Sequence, residues 1–540
     1  MPDHSQGDRL SWGDTVFLHL EREGMPLNVA SVCIFDGKIG LRDCQHLIES
    51  KLDLIPRYAK RVVSAPLGIG LPSWEYDPGF DIRRHVREQT LKQGTDAEIK
   101  SVVGRLFSQV MDRKHPLWDI TLLQGIKGNC TAVILRLHHC LADGIAGVGI
   151  LNVLLDASPE APPLPRKRQT FRVPPRRDPL TSLTSGFVDS YSDFSKRILS
   201  ALADVLQMAE RAAANSGSPE SSEEISALLP EITAFTERLR FNVLYRGPQK
   251  FSWAHIPLAD VKAIRHTFKT SVNDVILSLV TATVQRYLEQ HGDRVKGRLF
   301  RVMVPVNLRG NSDVSELGNR ISLVPVTVPL DIHDPTELLI AVNRRTEFLK
   351  QAHAAELVSL TGGLIGVLPT ALQAFAGPFI SKLPITPFNM VCTNVPGPQY
   401  PLYLLGQKML RCYPYVPVGG KMALNCAVLS YDGRIFFGFS GDIHAAPDLH
   451  RLETYLRTSF EELREAARLK PQRQGQSNRK RANAHSPVTP ASRRRSRPNR
   501  KVKVEAAARP AQVSTQTPSK PAQATPTAEQ HSPIPEPSIA

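Results

Sequence analysis

The chain has 540 residues, 41% of them hydrophobic and 22% charged, which excludes a fibrous or wholly disordered protein and allows two or three domains. Its formal charge is +16, but residues 471–540 hold 13 Lys and Arg against 3 Asp and Glu, so the first 470 residues carry only +6. The excess is mostly a property of the tail, and no nucleic-acid partner is expected. The seven cysteines, at positions 33, 44, 130, 140, 392, 412 and 426, include no Cys-x-x-Cys pair. That argues against a zinc ribbon or a disulfide framework and for a reducing compartment.

No signal peptide is legible at the start, where charges interrupt every short apolar run. Residues 1–156 are expected to form the first domain. Within it, residues 131–137 (Thr-Ala-Val-Ile-Leu-Arg-Leu) read as a strand and residues 145–155 as an apolar helix directly after it. Residues 157–250 read as a connector. Pro159, Pro162, Pro163, Pro165, Pro174 and Pro175 make its first part extended. Phe187, Tyr191, Phe194, Ile198, Leu202 and Val205 then recur at helical spacing and give one apolar face.

A second domain is expected over residues 251–470, with strands at 300–306 and 321–328 and helices at 261–268 and 273–287. Ser271 or Asn273 would cap the last of these. The uncharged stretch 357–381 is long enough for a membrane span. Gly362, Gly363, Gly366, Pro369, Gln373 and Pro378 interrupt it, which favours two short buried helices joined at Pro369, or one face resting on a lipid surface. Residues 471–540 lack large apolar side chains and are expected to be disordered. Their runs Arg479-Lys480-Arg481 and Arg493-Arg494-Arg495 suit anionic lipid headgroups.

The chemistry concentrates in His138-His139-Cys140-Leu141-Ala142-Asp143-Gly144, placed where the buried strand ends and the helix begins. An imidazole there is held by a rigid element yet open to substrate, and near neutral pH it is well suited to take a proton from a hydroxyl. Gly144 allows a tight turn, and Asp143 can brace the loop. Two imidazoles and a carboxylate also suit zinc. However, adjacent strand residues point to opposite faces, so no metal site is expected.

His-His-x-x-x-Asp-Gly after a strand resembles the signature of the coenzyme A-dependent acyltransferase superfamily. That group includes chloramphenicol acetyltransferase-like enzymes and peptide-synthetase condensation domains. Other segments, in order, resemble the wax ester synthase/diacylglycerol acyltransferase family. They are Leu10-Ser11-Trp12-Gly13-Asp14-Thr15-Val16-Phe17-Leu18, Trp74-Glu75-Tyr76-Asp77-Pro78-Gly79-Phe80-Asp81, Asp112-Arg113-Lys114-His115-Pro116-Leu117-Trp118-Asp119, Val272-Asn273-Asp274-Val275, Val304-Pro305-Val306-Asn307-Leu308-Arg309, Leu317-Gly318-Asn319-Arg320 and Thr393-Asn394-Val395-Pro396-Gly397-Pro398.

The resemblance implies an α/β fold of two chloramphenicol acetyltransferase-like domains, mixed sheets flanked by helices around a central channel. It implies an O-acyltransferase moving a long-chain acyl group from acyl-coenzyme A, a substrate and not a bound cofactor, to diacylglycerol or a fatty alcohol. His139 would be the general base and His138 its supporting neighbour. Asp143 would be structural, paired with Arg309. Asn273 and Asn394 would face the oxyanion or position substrate, and Cys140 would only pack. Peripheral attachment to a membrane or lipid droplet follows from the substrates. Two alternatives stay open: a related transferase with another acceptor, and a catalytically silent lipid-binding or tethering protein.

Overall fold

A computed structural model describes residues 9–64, 71–142, 144–160, 237–307, 321–351 and 388–468. The expected helix at 180–215, the apolar stretch 357–381, the tail, Asp143 and Arg309 lie outside these residues.

The first half runs α1 (Trp12–Leu20), β1 (Asn28–Asp36), α2 (Leu41–Lys51), β2 (Lys60–Val63), β3 (Ser73–Tyr76), α3 (Ile82–His85), β4 (Val86–Thr90), α4 (Asp96–Phe107), β5 (Trp118–Ile126), β6 (Cys130–His138) and α5 (Gly144–Leu154). The second half runs β7 (Gln249–Pro257), α6 (Leu258–Phe268), α7 (Val272–Gln290), β8 (Leu299–Asn307), β9 (Ile321–Pro329), α8 (Pro335–Gln351), β10 (Met390–Pro396), β11 (Tyr403–Leu404), β12 (Gln407–Tyr415), β13 (Leu424–Tyr431), β14 (Arg434–Asp442) and α9 (Arg451–Ala466).

Each element follows from local chemistry. Strand β6 is apolar and buried along nearly its whole length, as a strand covered on both faces must be. It pairs back on β5 through a turn in which Gly128 (φ 89°) and Asn129 (φ 56°) take left-handed conformations, which these two residue types tolerate. Helix α7 begins with a capping box. Ser271 Oγ accepts from Asp274 N–H at 3.1 Å, and Asp274 Oδ2 accepts from Ser271 N–H at 2.8 Å. The cap is therefore Ser271, and Asn273 is already inside the helix.

Two six-stranded mixed sheets form the frame, ordered β11-β12-β1-β6-β5-β4 and β7-β14-β13-β10-β8-β9. In the first, β4 and β5 are parallel and the other pairs antiparallel. In the second, β10 runs parallel to both β13 and β8. The sequence divides near residue 250, yet β11 and β12, from the second half, complete the first sheet. Strand β12 pairs with β1 in a register that puts Cys412 opposite Cys33, their sulfurs 2.9 Å apart. Asp156, just after α5, exchanges backbone hydrogen bonds with Tyr403 at 2.8 Å in each direction.

The two sheets meet through this crossover. Tyr413 of β12 stacks on Trp253 of β7, with centroids 4.9 Å apart. Tyr415 packs against Phe107 of α4 at 3.9 Å. Gly438 of β14 permits the approach, since a Cβ there would lie 1.8 Å from the Pro414 carbonyl oxygen. One hydrophobic core fills the first half and continues into Phe251, Trp253, Leu429 and Phe436 of the second sheet. A second core lies between that sheet and helices α6 to α9. Among the described residues no helix is long and apolar enough to cross a membrane.

Candidate active site

Strand β6 ends at His138, whose ring is fully buried. The chain then turns, with Leu141 N–H donating to His138 C=O at 2.9 Å, and Gly144 opens α5. His138 Nδ1 accepts from Cys140 N–H at 3.1 Å. A nitrogen that accepts carries no hydrogen, so the neutral ring bears its hydrogen on Nε2. That nitrogen lies 3.3 Å from Glu21 Oε2, at ion-pair distance but off the straight hydrogen-bond line.

His139 is the first residue beyond the strand. Its N–H donates to Leu27 C=O at 2.9 Å, and its ring lies flat on Phe17, centroids 3.8 Å apart and planes 13° from parallel. Burial lowers its pKa from 6.5 to about 4; the neighbouring His138 pushes the same way, and a hydrogen bond to its own backbone opposes them. The ring is therefore neutral at neutral pH. Because β6 stops at His138, the two imidazoles are not arranged as alternate strand residues. Both meet the C-terminal end of α1, one at Phe17 within the helix and the other at Glu21, which caps it.

Glu21, at the C-terminal end of α1, has a fully buried side chain. Its Oε1 accepts from Leu27 N–H at 3.1 Å and its Oε2 from Arg113 Nη2 at 3.2 Å. Burial works to raise its pKa, but the His138 contact and the hydrogen bonds from Leu27 N–H and Arg113 outweigh it and hold the carboxyl below its usual range. Sequence reasoning gave Glu21, Arg113 and Phe17 no role: Phe17 and Arg113 lie inside segments that resemble the family's, and Glu21 lies outside them. Cys140 is buried among apolar neighbours. Burial pushes its thiol well up, and the Asp14 and Glu21 carboxylates add to this, so it is poorly suited to act as a thiolate.

Asn273 and Asn394 are brought together. Asn394, on β10, donates from Nδ2 to Asn273 Oδ1 at 3.3 Å. Asn273 sits in the first turn of α7, anchored by its neighbour Asp274. The buried Asp274 carboxylate also accepts from Thr346 Oγ1 at 2.6 Å and Asn343 Nδ2 at 3.0 Å, both on α8. Helix α5, which follows the histidine motif, packs against β10, and Val395, next to Asn394, packs on the first core. Helix α5, just after the histidines, and strand β10, which carries Asn394, are thus neighbours.

Other motif residues among the described ones build the frame, while Leu317-Gly318-Asn319-Arg320 lie outside the described residues. His115 Nδ1 contacts Asp77 Oδ2 at 2.9 Å, and Trp118 Nε1 donates to Tyr58 C=O at 2.7 Å. His85 is stacked between Phe80 and Trp118.

Two mixed sheets joined by a strand crossover, with a histidine pair at the end of a buried strand, form a fold that solved acyltransferase and condensation-domain structures share. Among solved structures, the wax ester synthase/diacylglycerol acyltransferase from Marinobacter aquaeolei VT8 superposes with a TM-score of 0.60 at 22% identity, over 85% of this chain and 100% of that one. The first condensation domain of the calcium-dependent antibiotic synthetase gives 0.52 at 14% identity, over 86% and 98%. At those identities the likeness concerns the fold.

The chain itself belongs to the wax ester synthase/diacylglycerol acyltransferase family. The family's catalytic domain matches residues 10–276 and its C-terminal domain residues 317–464. A probable diacylglycerol O-acyltransferase of Mycobacterium tuberculosis is 29% identical over 406 residues, 73% of this chain and 82% of its own length. A second from the same organism is 25% identical over 468 residues, 85% and 99%.

Proposed function

We propose that this acyltransferase moves a long-chain acyl group from acyl-coenzyme A directly to the hydroxyl of diacylglycerol or a fatty alcohol, with His139 as general base. The observation that carries the reading is the state of His139: a neutral ring at the mouth of a rigid strand, stacked on Phe17 and tied by its backbone to Leu27. In the proposed step the imidazole takes the acceptor's O–H proton as the oxygen attacks the thioester carbonyl carbon. The tetrahedral oxyanion collapses, the C–S bond breaks, and the imidazolium returns the proton to the coenzyme A thiolate. A positioned base contributes roughly 10²–10⁴-fold to such a transfer.

Asn273 is the proposed oxyanion donor. Its Oδ1 is occupied by Asn394, which leaves its Nδ2 hydrogens to point elsewhere, from the positive end of a 19-residue helix. Asp143 and Arg309 are proposed as the structural pair that braces the turn after His139. The acyl and acceptor chains gain about 0.8 kcal/mol for each methylene they bury, and their substrates reside in lipid. Peripheral attachment to a membrane or lipid-droplet surface is part of the proposal.

The test uses purified protein with palmitoyl-coenzyme A and either hexadecanol or dipalmitoylglycerol, following free coenzyme A and neutral lipid. Product and coenzyme A that both depend on acceptor are expected, and the ratio of the two products ranks the acceptors. Stoichiometric coenzyme A release without acceptor would mean an acyl-enzyme and contradict direct transfer. A folded protein that binds acyl-coenzyme A but serves neither acceptor would point to another acceptor or to a tether.

A further inference from the structure

The carboxylate of Glu21 has no assigned role, yet it lies against His138 and reaches His139 through a chain of hydrogen bonds. Its Oε1 holds Leu27 N–H, and the carbonyl of the same Leu27 holds His139 N–H. Its Oε2 faces His138 Nε2, and His138 Nδ1 holds Cys140 N–H on the far side of His139. Arg113 Nη2 completes the set and also donates to Leu18 C=O at 2.7 Å, fastening the end of α1. The same helix carries Phe17, the ring on which His139 rests.

We propose that Glu21 is the positioning residue of the histidine motif: an acceptor-only clamp that fixes the His138 tautomer and, through His138 and Leu27, the orientation of His139. This rests on the reading of His139 as the base. All three groups around the carboxylate are donors: a backbone N–H, a guanidinium and the Nε2–H of His138. An amide of the same shape has only one accepting oxygen. Whichever way it turned, its NH₂ would face either Leu27 N–H or the His138 and Arg113 donors. A buried carboxylate is costly unless fully paired, and here the pairing spans α1, the entry to β1, the loop before β5 and the end of β6. A simple packing role does not require an acceptor on both oxygens.

The experiment compares full-length wild type, Glu21→Gln, His138→Gln and the double variant in steady-state transfer from palmitoyl-coenzyme A. Small misplacements of a reacting group cost on the order of a hundredfold per ångström. Glu21→Gln should therefore lower kcat by about tenfold or more, with KM for palmitoyl-coenzyme A within about twofold of wild type. Because Glu21 acts in part through His138, the double variant should lose less than the product of the two single losses. Wild-type kcat in Glu21→Gln, or losses that simply multiply in the double variant, would overturn the proposal.

A second measurement covers variants that fail to fold. Nitrogen-15 histidine spectra of the wild-type protein should show His138 as the neutral Nε2–H tautomer, and an Nδ1–H tautomer would overturn the clamp. Should wild type transfer no acyl group, the reading of His139 fails, while the tautomer still decides the geometry around Glu21.

Discussion

A histidine that takes a proton from an alcohol must be unprotonated when substrate arrives, and at this site burial against Phe17 secures that. With the pKa lowered to about 4, the acidic limb of the kcat/KM profile should lie near pH 4, well below the 6.5 of a free imidazole. A limb near 6.5 in a stable protein would show that the ring is solvated. The same shift has a stability consequence. The unfolded chain takes up this proton near 6.5 and the folded chain near 4, so stability falls as pH drops through that window. His139→Ala should make the fall shallower in a urea titration at several pH values. Phe17→Ala should admit water, raise the acidic limb from about 4 toward 6.5 and lower kcat at neutral pH by roughly tenfold. An unchanged limb would show that the stack does not set the ring's environment. At this scale the sequence exposed His139 through its motif, because two adjacent histidines before Asp-Gly are an unusual string. Glu21 was invisible: nothing about a lone glutamate after a short helix says that three donors from distant segments converge on it.

Helix α7 shows how an element delivers a side chain. Asn273 lies within the capping box, between Ser271 and Asp274, and is held further by the bonds from α8 to Asp274. Burial works to raise the Asp274 pKa, but its hydrogen bonds prevail and lower it. Its contribution to stability is therefore present above its unfolded pKa and lost as pH falls through the folded value. Asp274→Ala should cost about 2–4 kcal/mol in denaturant titration, since it strands several donors around a buried site. Asp274→Asn should recover part of that. A loss under about 0.5 kcal/mol for the alanine would contradict the anchoring role. Strand β6 and helices α5 and α7 were legible from their apolar patterns; the ends of β6 and α5 fall within one residue of expectation, and α7 runs three residues further, to Gln290. The contact between Asn273 and Asn394, 121 residues apart, was not foreseen: family motifs named each as a site candidate, and no periodic signal joins them.

The whole molecule depends on β12 crossing from the second half of the sequence into the first sheet. The pairing of Cys33 with Cys412 spans 379 residues, and neither strand announces its partner, since alternating apolar strands fit many registers. A division near residue 250 is natural in composition, but the fold runs across it. Gly438→Ala tests the docking: its new Cβ would strike the Pro414 carbonyl and the Phe251 ring. We expect a loss of about 1–3 kcal/mol, the range for overpacked interiors, and a melting temperature several degrees lower. A melting temperature within about one degree of wild type would show that the sheets can part there without cost.

The central claim is that His139 removes the acceptor's proton, and the direct measurement is acyl transfer by His139→Ala beside wild type. Both would be given palmitoyl-coenzyme A with hexadecanol or dipalmitoylglycerol, after equal folding and acyl-coenzyme A binding are confirmed. The account predicts a fall in kcat of roughly 10²–10⁴-fold with each acceptor and little change in KM. Retention of near wild-type turnover by the alanine variant would contradict it and place the base elsewhere.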